Sequence, residues 1–143
     1  MKNLILTPLG LRVADKLFPC VIGRSGITNR KRESDGKTPI GVLKIVGMLY
    51  RPDRILRPRR WALPIRPRDI WSDDIKDPDY NLMGTTPNLF RHEKLFRPDH
   101  IYDLVIITNW NWPYAVKGRG SAIFIHNWRS NGYPTEGCIA LSK

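Results

Sequence analysis

Glycine and proline fence the short apolar segments of this chain. The 143 residues include 11 Gly and 12 Pro spread along the sequence, and the apolar segments between them are short and rich in β-branched or aromatic side chains. A helix interior tolerates neither residue well, so this punctuation favours strands. Strands are predicted over residues 4–6, 17–22, 41–49, 102–108, 122–126 and 138–141. Segment 41–49 is almost continuously apolar, broken by Lys44, and Val105-Ile106-Ile107 is wholly apolar, so both are expected to be buried strands. The one helical candidate is a short segment at 91–96. A mostly β domain with one or two short helices follows.

The chain is long enough for one core, with roughly two-thirds of its unfolded surface to be buried, about 7,600 Å² remaining exposed, and a single domain over 1–143 is expected. An apolar share of 41% excludes a disordered polar tail. No apolar run approaches the ~18 residues of a spanning helix. At the N-terminus only Leu4-Ile5-Leu6 precedes Thr7-Pro8, so no export signal is read there.

Charge is the outlier. Lys and Arg number 24 against 13 Asp and Glu, a formal net charge of +11. A polyanion is the expected neighbour, although nucleic acid, anionic lipid and acidic wall polymers satisfy such a field equally. The basic residues concentrate in an Arg/Pro-rich insertion at 51–70, where Arg51, Arg54, Arg57, Arg59, Arg60, Arg66 and Arg68 alternate with four prolines. It is expected to be a solvated, extended crossover lying on the domain. The competing reading is a basic strip gripping a polymer, with Trp61 and Trp71 as stacking surfaces. No nucleic-acid motif accompanies it, so no specific nucleic-acid partner is expected.

Chemistry-bearing residues gather near the C-terminus, where Ser121-Ala-Ile-Phe-Ile-His126 and Thr135-Glu-Gly-Cys-Ile-Ala-Leu141 read as strand, polar loop, strand. If the strands are neighbours, His126 and Cys138 meet across the sheet. An imidazole in reach of a thiol supplies the thiolate that attacks a carbonyl. Gly137 permits a tight turn before the nucleophile, and the N–H groups of Gly137 and Cys138 are candidate oxyanion donors. Cys20 and Cys138 allow one disulfide or none, and neither belongs to a Cys-x-x-Cys pair. His92 and His100 lack partners at metal-ligand spacing, Thr38 and Pro39 are assigned to turn geometry, and Asn109-Trp110-Asn111-Trp112-Pro113 either lines a groove or packs its rings on the core.

The stretch Gly120-Ser-Ala-Ile-Phe-Ile-His126, followed by Thr135-Glu-Gly-Cys-Ile-Ala-Leu141, resembles the signature of L,D-transpeptidases with the YkuD-type catalytic domain. Gly36-Lys-Thr-Pro-Ile-Gly41 is similar to the Thr-Pro-x-Gly element of that family, and Cys20-Val-Ile-Gly-Arg-Ser-Gly26 precedes it in the expected order. The resemblance implies a β-sandwich or mixed-sheet fold, a peptidoglycan stem-peptide substrate, a location in the bacterial envelope or periplasm, and a monomer without metal or organic cofactor. It further implies a Cys138 thioester resolved by an amine, His126 as acid and base, Gly137 in the catalytic turn, and acylation by carbapenems. Resolution by water would give an L,D-carboxypeptidase.

Three positions depart from the family pattern, which often has His at Glu136, Arg at Ala140 and Gly at Asn127. Glu136 is expected to raise the thiol pKa. The missing guanidinium is expected to be replaced by Arg24, Arg119 or Arg129, and Tyr133, Thr135 and Glu136 complete the expected substrate-binding set. Family members usually continue past the cysteine strand, so a missing covering segment and a weakened or inactive paralogue binding wall polymer or nucleic acid are alternatives.

Overall fold

The computed structural model describes residues 3–143, and within them every regular element is a strand. The expected helix at 91–96 is absent. Its middle forms a strand, His92–Lys94, because Glu93 and Lys94 find backbone partners opposite Trp71 and Ile70.

Strands β1 (Leu4–Thr7), β2 (Gly10–Val13) and β3 (Lys16–Phe18) form an antiparallel meander. Pro19 ends β3, since it has no N–H for the ladder, and β4 (Cys20–Val21) resumes in a different sheet. Segment 17–22 is therefore two strands where one was expected. Short β5 (Ile27–Thr28) and β6 (Thr38–Pro39) pair in parallel.

Six strands make the main sheet, in the order β4, β14 (Ile139–Leu141), β13 (Phe124–Asn127), β12 (Leu104–Thr108), β7 (Ile45–Tyr50) and β8 (Leu63–Pro64). The apolar β12 lies inside it, as expected for a strand with Val105 fully buried. The reading of 41–49 as a buried strand fails in its first half. Ile45 is 48% and Val46 40% exposed, because β8 covers β7 only at Leu49 and Tyr50.

A second sheet places β9 (Asp69–Ser72) between β10 (Met83–Thr85) and β11 (His92–Lys94). One apolar cluster joins it to the main sheet. Trp71 of β9 meets Phe124 of β13 edge-on at 5.0 Å, with Leu49, Leu95, Tyr102 and Val105 around them. Trp71 is 3% exposed and its Nε1 donates to Asn81 at 2.9 Å, so it cannot serve as a stacking surface for a polymer. Trp112 likewise packs against the core. The accessible surface, 9204 Å², exceeds the value expected for the mass, in part because Leu4, Ile5, Leu17 and Phe18 of the meander stay exposed.

The Arg/Pro-rich crossover is extended on the domain, yet solvation does not describe all of its arginines. Arg51 is 4% exposed, lies 3.7 Å over the Phe96 ring, and donates to Asp53 and the Arg97 carbonyl. Arg54 donates to the carbonyls of Pro98 and Asp99 and to Asp103. Arg57 and Arg68 hold the carbonyls of Ala62 and Thr86. A segment with four prolines offers few ladder bonds, and guanidinium forks satisfy its carbonyls and those of its neighbours instead.

Candidate active site

The polar loop 128–138 carries the chain from the end of β13 to the start of β14, which pairs with β13 in parallel, Ile125 opposite Ile139 and His126 opposite Ala140. Side chains alternate across a strand, so Cys138, two residues before Ala140, lies on the same face as His126 and diagonal to it. Both side chains line one cavity of about 450 Å³. Arg24, Arg129, Tyr133, Thr135, Glu136 and Gly137 also line it. Arg119 does not, its guanidinium lying 5.8 Å from the Trp110 ring.

The Cys138 thiol donates to the Ala122 carbonyl at 3.0 Å, and the Phe124 N–H reaches the sulfur at 3.4 Å. Burial pushes the thiol up to about 12, the Glu93 carboxylate adds to the rise, and the Phe124 N–H and Lys31 oppose it. His126 Nδ1 lies 2.7 Å from the Asn127 carbonyl. A carbonyl can only accept, so Nδ1 carries the proton and Nε2 holds the lone pair. Burial pulls this imidazole below its usual 6.5, which keeps it neutral at pH 7. Tyr102 stands edge-on to His126 with ring centroids 5.2 Å apart, and its hydroxyl donates to Glu93.

Two threonine hydroxyls brace the turn before the cysteine. Buried Thr38 accepts from the Gly23 N–H at 2.9 Å and donates to the Gly137 carbonyl at 2.8 Å. Thr135 accepts from the Gly137 N–H at 3.0 Å and donates to the Cys138 carbonyl at 2.6 Å. Gly137 has φ +148°, and a Cβ there would stand 2.8 Å from the Lys37 carbonyl oxygen. Only glycine fits so close an approach.

These contacts correct several expectations. The Gly137 N–H is taken by Thr135 and is not free for an oxyanion, while the Cys138 N–H has no backbone partner among the described residues. Thr38 is more than turn geometry, since it ties β6 to the cysteine turn. Glu136 is held at the rim by Arg24 at 3.1 Å, with side chains 78% and 48% exposed, and the carboxyl that adds to the rise of the thiol is Glu93, itself pushed up by burial. Cys20 and Cys138 are free thiols.

Sequence reasoning missed Lys31, Glu93 and Tyr102, all of which line the cavity. Tyr102 was legible as part of an apolar strand but not as a neighbour of His126. Glu93 fell in the segment read as a helix, and Lys31 sits between Arg30 and Arg32, a pattern that reads as a solvated run.

Comparison with protein-family models matches residues 10–143 to YkuD, the L,D-transpeptidase catalytic domain. No curated protein and no solved structure matches the chain. No helix among the described residues is long and apolar enough to cross a membrane. The match spans nearly the whole chain and includes both strands of the cavity wall, and the chain belongs to the YkuD family of L,D-transpeptidase catalytic domains.

Proposed function

We propose that this protein is a cysteine-dependent peptidoglycan L,D-transpeptidase of the bacterial envelope. The observation that carries this reading is the shared wall of one cavity: a thiol and a neutral, Nδ1-anchored imidazole on one face of two paired strands. Burial raises the thiol far above neutral, to about 12, so the resting group is the thiol. Proton loss therefore accompanies attack and does not precede it.

The steps follow from this resting state. The thiol leaves the Ala122 carbonyl, passes its proton to His126 Nε2, and Sγ bonds to the carbonyl carbon at the L-centre of a diamino acid in the donor stem. The carbonyl π pair moves onto oxygen, where the Cys138 N–H is a donor in reach. When the tetrahedral adduct collapses, the C–N bond breaks and the departing D-alanine amine takes the proton from His126. A side-chain amine of a neighbouring stem then attacks the thioester, giving its proton to His126, which returns it to sulfur. Water in place of the amine gives the carboxypeptidase outcome.

Intact-mass spectrometry after carbapenem treatment tests the reading. One adduct on the wild type, absent from Cys138→Ala, is expected. No adduct on the wild type, or an equal one on the variant, would defeat it. Exchange of free D-amino acids into tetrapeptide stems tests the acceptor step separately. The rival reading as a basic polymer-binding module is disfavoured, because Arg51, Arg54, Arg57 and Arg68 are already committed to groups of the chain itself.

A further inference from the structure

We propose that Lys31 is a catalytic cation of this site, its ammonium stabilising the Cys138 thiolate as it forms and then the oxyanion of the tetrahedral adduct. The assignment rests on the cysteine mechanism above and names a residue outside the histidine and cysteine strands.

The side chain of Lys31 is 4% exposed, and a buried ammonium persists only beside a counter-charge. Asp35 supplies it, with Nζ 2.5 Å from Oδ1. That carboxylate also accepts the N–H groups of Arg32 and Lys37, each at 2.9 Å, so it is itself fixed. The lysine stem is seated over Gly120, where a Cβ would stand 3.0 Å from Cγ and 3.1 Å from Cε. Its Nζ lies 3.4 Å from the point that a Cβ on Gly137 would occupy. The charge is thus lodged beside the residue that precedes the nucleophile.

An ammonium has three N–H donors. Asp35 takes one, and no other acceptor among the described residues takes either of the rest. Lys31 lines the cavity that Cys138 and His126 line, so those donors are available to a ligand oxygen there. Of the other cations around the cavity, Arg24 is paired with Glu136 and Arg97 with Asp99, while Arg129 stacks over the Tyr133 ring at 4.9 Å, at the other end of the polar loop's sequence from Gly137. Ala140, the position where family members often carry Arg, is fully buried.

The charge balance around the sulfur gives the cation its task. Glu93 disfavours a thiolate, Tyr102 and His126 are neutral at pH 7, and Lys31 is the positive charge acting on the thiol from the opposite sense. In the chemical step Lys31 keeps all its protons. It donates hydrogen bonds while the sulfur proton moves to His126 and the carbonyl pair moves to oxygen, and it releases that oxygen when the carbonyl reforms.

Two probes on the full chain in a Cys20→Ser background test this. At about pH 8 the alkylation rate with iodoacetamide reports the thiolate fraction, and Lys31→Met is expected to lower it about tenfold, one pKa unit. Carbapenem acylation is expected to slow about 100-fold with little change in the half-saturating concentration. Lys31→Arg, which keeps the charge, should recover most of both rates. If Lys31→Met fails to fold because Asp35 is orphaned, Lys31→Met with Asp35→Asn removes both charges and should show the same losses. A folded variant that alkylates and acylates within twofold of the wild type would overturn the proposal. Absence of any carbapenem adduct on the wild type would instead defeat the proposed function, while the alkylation ratio would still decide whether Lys31 acts on the sulfur.

Discussion

The Arg/Pro-rich crossover and the turn that leads into Cys138 are both irregular, polar and short of ladder hydrogen bonds, yet they use their polar side chains in opposite ways. In the crossover the arginine forks close on carbonyls and carboxylates of the chain itself, and Arg51 is sealed between Phe96, Asp53 and the Arg97 carbonyl. In the cavity wall, two threonine hydroxyls complete the backbone bonding of the cysteine turn, the thiol is held only by the Ala122 carbonyl and the Phe124 N–H, and Nε2 of His126 and two donors of the Lys31 ammonium have no partner among the described residues. The charge density of a segment therefore says little about its work. What matters is whether its donors and acceptors are already satisfied, because a satisfied group has nothing left to offer a ligand.

The sharpest way to break this contrast is at the sulfur. Cys138→Ser should lower carbapenem acylation by at least about a thousandfold, with cooperative thermal unfolding retained. A variant that still acylates would move the chemistry elsewhere.

Arg51→Leu is the converse experiment. It removes a buried fork and leaves the Arg97 carbonyl without its donor, so chemical denaturation should show a loss of about 2 kcal/mol. The acylation rate per folded molecule should stay within about threefold of the wild type. A selective loss of rate would mean that the crossover reaches the site.

Thr38→Val probes the brace between the two regimes. The Gly23 N–H and the Gly137 carbonyl both lose a partner, and a cost of about 1–2 kcal/mol is expected by denaturation. Acylation should fall more than the stability loss alone explains, and Thr38→Ser should restore it. Equal rates in Val and Ser variants would reduce Thr38 to a packing role.

Stability against pH gives a smaller signal. The folded thiol pKa is raised from 9.0 to about 12, so this group's contribution is complete below pH 9 and is lost as pH rises toward the folded value. Between pH 9 and 10 the wild type should lose up to about 1.4 kcal/mol more than Cys138→Ala. Parallel curves would show that the thiol is not desolvated. The smallest effect is expected at exposed Arg59, where Arg59→Ala should change stability by less than about 0.5 kcal/mol. A larger change would show that this arginine, too, is a clamp.

Several features could be read before any coordinates. Glycine and proline spacing gave short strands, the apolar run Val105-Ile106-Ile107 gave an inner strand, and the pattern from His126 to Cys138 gave the pair of strands that carries the candidate site. Failures occurred where a partner strand overrode a local signal. Segment 91–96 lacks proline and glycine inside it before Pro98 and reads as a helix, yet β9 recruits its centre into a sheet. Segment 41–49 reads as buried, yet the edge strand beside it is only two residues long.

The sequence by itself determined the punctuation, the family signature and the twelve-residue step from imidazole to thiol, because those are properties of neighbours along the chain. Only the tertiary structure decided that Glu93 and not Glu136 is the carboxyl that acts on the thiol, that Thr38 holds the cysteine turn across 99 residues of sequence, and that Lys31 is buried beside that turn. Burial and charge act through space, and the distance between two side chains is set by how sheets stack rather than by how many residues separate them.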